Sequence, residues 1–542
     1  MNSNANPVEQ RAIGWLFSFK AFEAEILILA GIVALFFVLQ TVRFLPVRSD
    51  NMYPEAAGVL SSLRWAQGHS LYQDYRQAPY LITPFPPVWY AILAAGARLG
   101  FSDVTRLTFF GRIVSLVGLF GMLCIGYLYN RRLGFSILLC LLTPLFYLAF
   151  PLLLPWAVTA RPDLLAFLFG IISLYLVAFR VDAKSVLGAG IIAALAFLTR
   201  HNAVSVPAAV VVWLVWRRRW KHVIAFSTAW WLTVTATLIA FQIITHGAFL
   251  LNLSGATFGK FAFSYIRDVI GRVLSTPGNG FAVGLFAFGL FGFFQSWKDE
   301  DQRVRLISIY LAISLVIAVW GSAARGAAVN HYMEPALAMA MLVPLGISQL
   351  QHVWTHESPL AVFAMILVLV FLLPSVDMQR SYFAHNKPDN LQGLEHLVAN
   401  RRVFTDVPYL AARSSNLELL EPASLLNTEM ARGRTAWSSL AIADSLEHKQ
   451  YELVVLSFPA DTPYDPAALY PRYVHLDSAV RSSIVRNYRL CYQVDTSDVD
   501  GKIETRYVYG PGPTVTNFAS GCPVLQGPSS SERRIQSFSS MQ

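Results

Sequence analysis

Between Asp50 and Tyr90 the chain gathers residue types that do chemistry. The stretch carries the carboxylates Asp50, Glu55 and Asp74, the guanidinium groups Arg64 and Arg76, three prolines in Pro84-Phe85-Pro86-Pro87, and several aromatic rings. A positioned carboxylate accepts a proton from a hydroxyl, and an arginine holds an anion. These residues follow directly on the first long apolar segment. Charged groups at the mouth of an apolar bundle are costly to place, so the cluster points to a reaction or binding site at a membrane surface.

Two later clusters have the same character. Arg161-Pro162-Asp163 opens an apolar run, where a capping aspartate explains Asp163 but not the adjacent arginine. Asn330-His331-Tyr332-Met333-Glu334 opens another. Each acid also has a plainer reading. Asp50 caps the following helix, Glu55 sits in its first turn, and Asp74 has a structural role in its loop.

These residues need a membrane scaffold, and composition supplies one. Of 542 residues, 55% are hydrophobic and 14% charged, with a mean hydropathy of +0.47. Soluble chains carry about 25% charged residues. The formal net charge of +9 comes from short basic loops such as Arg217-Arg218-Arg219-Trp220-Lys221 and Arg131-Arg132. Such loops mark cytoplasmic ends rather than a nucleic-acid surface.

Apolar segments are expected near 26–42, 82–99, 108–128, 134–154, 164–179, 185–198, 203–216, 223–244, 281–296, 306–320, 335–349 and 359–374. This is a polytopic helical protein of about 11–13 spans. The first segment is long enough to stay as an anchor, with no cleavable signal peptide before it.

With Arg217 to Lys221 inside, alternation places one set of ionisable residues outside: Asp50, Glu55, Arg64, Asp74, Arg76, Asp103, Arg161, Asp163, Arg200, His201, Lys260, Arg267, Asp268, Arg325, His331 and Glu334. One conflict remains. Both ends of 82–99 fall on the outer side, so either that proline-broken segment does not cross or another span is miscounted.

The domain organisation is a membrane region at 1–377, with a first outer loop at 45–81, a small α/β domain at 378–525, and a disordered tail at 526–542. Short β runs at 402–405, 452–457, 488–494 and 505–509, and a helix at 436–448, define the α/β domain. If it lies outside the cytoplasm, Cys491 and Cys522 can form a disulfide; Cys124 and Cys140 read as packing residues. Asn252-Leu253-Ser254 matches a glycosylation sequon. No HExxH, paired CxxC or phosphate-binding glycine loop is present.

The order of several motifs resembles that of bacterial GT-C fold membrane glycosyltransferases, related to the protein mannosyltransferases and the lipid A aminoarabinose transferases. The resemblance spans roughly 20–375. It rests on the acid after the first span, Gly68-x-x-Leu71-Tyr72-x-Asp74, the Pro84–Tyr90 stretch, Arg161-Pro162-Asp163-Leu164-Leu165-Ala166, Leu195 to Asn202, and Asn330-His331-Tyr332-x-Glu334. Arg200 stands where the family usually has lysine, which keeps the charge but changes its hydrogen-bond geometry.

The resemblance implies transfer of a hexosyl or pentosyl unit from a polyprenyl-phosphate donor to a glycan, lipid or protein acceptor outside the cytoplasm, with inversion. Asp50, Glu55 and Asp163 are the expected catalytic acids. Asp74, Arg161, Arg200, His201, Arg325, Asn330, His331, Tyr332 and Glu334 are the expected substrate- and phosphate-binding residues. Asp50 and Asp163 with a phosphate are the place for a divalent cation, Mg or Mn. The expected location is the cell (inner or plasma) membrane. A transporter or flippase of a lipid-linked glycan is the second reading, and a non-catalytic scaffold the third. The clustering of ionisable groups at one face, without a repeat, favours the enzyme.

Overall fold

The computed structural model describes residues 19–47, 55–75, 79, 81–148, 150, 153–180, 182–257, 262–275, 280–323, 329–353, 391–415, 439–461, 478–497 and 503–512. Asp50, Arg76, Lys260, Arg325, Cys522, the apolar segment 359–374 and the tail from residue 526 lie outside these residues.

Helices stand at the expected apolar segments within the described residues. They are α1 (Phe19–Phe44), α2 (Glu55–Ala66), α3 (Pro87–Arg98), α4 (Val104–Arg132), α5 (Ile137–Leu148), α6 (Leu153–Ala157), α7 (Asp163–Phe179), α8 (Ala183–Thr199), α9 (Ser205–Trp216), α10 (Trp220–Ile244), α11 (Ala248–Thr257), α12 (Phe263–Ser275), α13 (Gly280–Ser296), α14 (Gln302–Ser322) and α15 (Met333–Val353). Their starts follow local chemistry. Asp103 caps α4 by accepting from the Thr105 and Arg106 N–H groups at 2.9 and 3.0 Å. Asp182 and Asp301 do the same for α8 and α14. Pro87 suits the first turn of α3 because its missing N–H has no helical partner there.

Among the described residues, α4, α10, α14 and the stretch Val329–Leu350 are long and apolar enough to cross a membrane; α7, α8 and α9 are shorter apolar helices. Glycines allow close backbone approach between these helices. A Cβ at Gly118 on α4 would lie 2.8 Å from the Leu165 nitrogen, and one at Gly190 on α8 would lie 2.6 Å from the Phe226 carbonyl.

The two ends of the bundle differ. At one end Arg132 lies over the rings of Tyr175 and Phe179, Arg217 over Trp213 and Arg303 over Phe179. The Tyr129 hydroxyl and the Trp213 indole donate there to the carbonyls of Arg303 and Gln302. The other end carries α2, α3 and the C-terminal region.

The length of α4 accounts for the position of segment 82–99. Its 29 residues extend about 43 Å at 1.5 Å per residue, more than the roughly 30 Å of hydrocarbon. This surplus length gives room for the first turns of α4 to stand beyond the apolar slab. The 12-residue α3, about 18 Å long, packs in that overhang with α2 and the C-terminal region. Trp89, Tyr90 and Leu93 share a core with Val59, Leu107, Leu394 and Leu410. Both ends of 82–99 can thus lie on one side.

Asn252, the sequon residue, is fully buried. It accepts from the Thr83 N–H at 2.8 Å and donates to the Gln73 carbonyl at 2.8 Å, which ties α11 to the first loop. It is a strut here, with no surface for a glycan.

The C-terminal region contains a four-stranded sheet. Its strands are β1 (Val403–Thr405), β2 (Leu453–Leu456), β3 (Tyr488–Ser497) and β4 (Ile503–Pro511), in the order β1-β2-β4-β3. β1 and β2 are parallel, while β4 is antiparallel to β2 and β3. The four strands and the helix α18 (Ser439–Glu447) fall within a residue or a few of the expected runs. Helices α16 (Gln392–Val398), α17 (Pro408–Ala411) and α19 (Ser478–Asn487) complete the region. It docks through α17. Ala411 packs with Ala57, Leu60 and Leu81, and the Tyr409 hydroxyl lies 2.8 Å from that of Thr105. Cys491 is disulfide-bonded, while Cys124 and Cys140 are free.

Candidate functional site

The site lies where the overhang meets the bundle. Its frame is a pair that the sequence reading missed on one side. Arg112 on α4 donates from Nε to Glu55 Oε1 at 2.8 Å and from Nη2 to Oε2 at 2.7 Å, and both side chains are fully buried. Arg112 Nη1 donates to the Val47 and Leu45 carbonyls at 2.6 and 3.2 Å. Glu55 Oε1 accepts from the Ala160 N–H at 2.5 Å. The pair thus joins the chain just after α1, the start of α2, the first third of α4 and the residue before Arg161. Ser115 adds to the frame: its hydroxyl donates to the Thr159 carbonyl at 2.8 Å and accepts from the Arg161 N–H at 3.3 Å.

Glu55 was expected among the catalytic acids. The structure occupies both its oxygens with a bidentate guanidinium, the geometry of a clamp. Arg112 had a legible signal, since it is a lone charge inside the apolar run 108–128, where an ionisable group marks a functional or structural pairing.

Asp163, at the first position of α7, is the hub of a second cluster. Its Oδ1 receives Arg200 Nη1 at 3.0 Å and Asn330 Nδ2 at 2.8 Å. Its Oδ2 receives Arg161 Nε at 3.4 Å. The Asp163 side chain is 2% exposed, Arg200 6% and Arg161 16%. Aromatic faces carry the guanidinium groups: Arg161 lies 4.6 Å from the Trp156 ring centroid, and Arg200 lies 5.5 Å from that of Phe167.

Burying charges is costly unless each finds partners. Here one carboxylate is shared by two guanidinium groups, so each arginine keeps unspent N–H donors. Glu334, at the start of α15, lies close enough to interact with Arg200. It accepts from the Ser205 hydroxyl at 2.8 Å and the Tyr310 hydroxyl at 3.1 Å.

Four expected residues, Arg161, Asp163, Arg200 and Asn330, thus meet directly, although they come from segments as many as 169 positions apart. Glu334, His201 and His331 lie close by. The His201 imidazole is pushed down to about 4, by burial first and by the Arg200 charge second, so it is neutral at physiological pH. The His331 ring packs on Gly321, where a Cβ would lie 2.6 Å from Nδ1. Tyr332 accepts a long hydrogen bond from Ser322 at 3.4 Å.

Asp74 stands in the loop that Asn252 braces. Asp103 caps α4 and pairs with Arg106, and Arg267 pairs with Asp268, both apart from the cluster. Asp50 and Arg325 lie outside the described residues. Ser205 and Tyr310 were not anticipated; as uncharged residues of apolar helices they carried no sequence signal.

The Asp163 environment does not fit the expected divalent cation. Two guanidinium groups and an amide N–H already face that carboxylate, and a third positive ion would be repelled. Among the described residues, no cluster of three or more His, Cys, Asp or Glu side chains is placed to hold a metal. What the arrangement offers is donors for an anion, half-shielded from water by aromatic rings, at the edge of an apolar bundle.

Residues 85–245 match the family of dolichyl-phosphate-mannose-protein mannosyltransferases. The crystal structure of ArnT from Cupriavidus metallidurans in the apo state superposes with a TM-score of 0.55 at 11% identity, over 89% of this chain and 99% of that one. The same protein bound to undecaprenyl phosphate superposes with a TM-score of 0.52 at 11% identity, over 79% and 93%. No curated protein sequence matches the chain. The chain is a multi-pass membrane protein with the GT-C glycosyltransferase fold, and its matched family segment runs from the proline-rich opening of α3 to the end of α10.

Proposed function

We propose that this protein transfers a hexosyl or pentosyl unit from a polyprenyl-phosphate donor to a glycan, lipid or protein acceptor, with inversion at the anomeric carbon. The observation that carries this reading is the pair Arg161 and Arg200, held on one buried carboxylate at the edge of the apolar bundle. A lipid-linked phosphate brings its charge to that depth. The fold shared with ArnT, which binds undecaprenyl phosphate, and the mannosyltransferase segment support the same chemistry.

The reaction is a direct displacement. The acceptor hydroxyl attacks the anomeric carbon, its proton passes to a carboxylate, and the sugar–phosphate bond breaks with its electrons going to the phosphate. Asp50 is the proposed base, a role worth roughly 10²–10⁴ in rate. Arg161 and Arg200 stabilise the departing phosphate. Asp163 and Asn330 aim the guanidinium groups. Asp163 is a poor base because two cations already neutralise it. Glu55 and Arg112 position the segment that bears Arg161.

The basic end of the bundle faces the cytosol by the positive-inside rule. The site and the C-terminal region then face the opposite side of the cell membrane, in keeping with the division into a membrane region at 1–377 and an α/β domain at 378–525.

The test is a reconstituted assay with a panel of lipid-phosphate sugars. Asp50→Asn should abolish transfer at unchanged expression, and Asp163→Asn should abolish transfer together with a loss of stability, since it strands two guanidinium groups. Wild-type turnover in both variants refutes the assignment.

A further inference from the structure

We propose that Tyr147 contacts the substrate directly, its hydroxyl and the open lone pairs of Glu334 together forming a subsite for a hydroxyl group of the transferred sugar. This inference rests on the glycosyl-transfer reading and deepens it.

Tyr147 lies near the end of α5 and its side chain is fully buried. Among the described residues its hydroxyl has no hydrogen-bond partner. The group is close enough to Glu334, Asp163 and Tyr310 to interact electrostatically with all three. Its ring packs in the apolar core, while its hydroxyl lies within electrostatic reach of the site's carboxylates, on a helix that Thr143 ties to the Ala340 carbonyl of α15. Buried hydroxyls normally find a partner, and leaving one unmet is unfavourable. The missing partner is supplied by what the site binds.

The donor and acceptor inventory identifies that partner's chemistry. A carboxylate offers about four lone-pair positions. Glu334 uses one oxygen for Ser205 and the other for Tyr310, so acceptor capacity remains. Tyr147 offers a donor. A group that satisfies both must accept and donate, as a hydroxyl does. A phosphate oxyanion only accepts, so it cannot serve the open lone pairs of Glu334.

Phosphate is instead matched by Arg161 and Arg200, which grip the same Asp163. The two halves of a sugar phosphate thus find opposite chemistries around one carboxylate. A water molecule also both donates and accepts, which makes water the rival outcome.

The experiment uses full-length protein in liposomes, with an undecaprenyl-phosphate sugar on which the wild type is active, and undecaprenyl phosphate alone as the binding control. Tyr147→Phe should lower kcat/KM by roughly 2- to 12-fold, the value of one neutral hydrogen bond. It should leave affinity for undecaprenyl phosphate unchanged, and the unliganded melting temperature unchanged or raised, because an unmet hydroxyl has been removed.

Glu334→Gln should also lower kcat/KM without changing affinity for the control lipid. Wild-type kcat/KM in Tyr147→Phe overturns the proposal in favour of a bound water. So does a fall in melting temperature, which would show a structural partner, or an equal loss of affinity for undecaprenyl phosphate. Activity lost in Asp163→Asn but kept in Tyr147→Phe removes only this subsite. Failure of the wild type on every lipid-phosphate sugar removes the transferase reading, and the subsite with it.

Discussion

Replacing Glu55 by glutamine separates a clamp from a catalytic base. Glu55 and Arg112 are both fully buried and joined by two parallel hydrogen bonds. Breaking a buried pair by neutralising one partner costs about 3–5 kcal/mol, because the other charge stays in low dielectric without compensation. The structure places Glu55→Gln near the lower end of that range. The glutamine oxygen can still accept from Ala160 and Arg112 Nε, and Arg112 Nη1 keeps the Val47 and Leu45 carbonyls. The glutamine NH₂, however, meets Arg112 Nη2 donor to donor.

Arg112→Met belongs near the upper end. It strands the carboxylate and strips those carbonyls as well. The double variant should be no less stable than the worse single one, since the uncompensated charge is gone. Equilibrium unfolding in mixed micelles measures all four species. A Glu55→Gln protein within about 1 kcal/mol of wild type refutes the clamp. In the transfer assay, activity should fall in step with stability, because the carboxylate holds Ala160 beside Arg161. Intact stability with abolished transfer would instead make Glu55 the base.

Two further outcomes follow from buried polar groups. His201 titrates near 4 in the folded protein and near 6.5 unfolded. The folded state thus favours the neutral ring. This contribution is fully present above about pH 6.5 and is lost as pH falls toward 4, at most about 3 kcal/mol at 1.36 kcal/mol per pKa unit. His201→Gln should flatten the decline in melting temperature over that window, and identical pH profiles would contradict the burial. Asn252 should carry no glycan when the protein is made in a glycosylating host, as read by mass spectrometry. Asn252→Ala should destabilise by about 2–3 kcal/mol, since it leaves the Thr83 N–H and the Gln73 carbonyl without their partner. A modified Asn252 would show that the 71–83 loop opens.

What could be read in the chain beforehand divides by physical range. Helices and strands were legible because hydrophobic period and capping residues act within one or two turns: Asp163 before its apolar run and the unbroken apolar run 453–456 needed no knowledge of the rest of the fold. The polar cluster was half legible. Arg161, Asp163, Arg200 and Asn330 stood out as charges and amides at the mouths of apolar runs, a place where such groups are costly and therefore purposeful.

Their pairing was not legible, because nothing local links residue 163 to residue 330. Glu55 shows the consequence. A carboxylate at the start of a helix reads either as a base or as an ordinary first-turn acid, and only its meeting with Arg112, 57 positions away, shows the buried pair. Tyr147, Ser205 and Tyr310 lie beyond this kind of reading, since each fits an apolar helix by size and period and its polar atom is recognisable only by what it faces.

The topological conflict over 82–99 was different in kind, because it came from counting every apolar segment as a full crossing. Once α4 is seen to run about 43 Å, its first turns must have company outside the hydrocarbon. The proline-opened α3, the acid-bearing α2 and α17 of the sheet region supply it. The overhang is therefore what lets a carboxylate from the first loop reach the backbone beside Arg161. A shorter α4 would leave the same residues with no common level at which to meet.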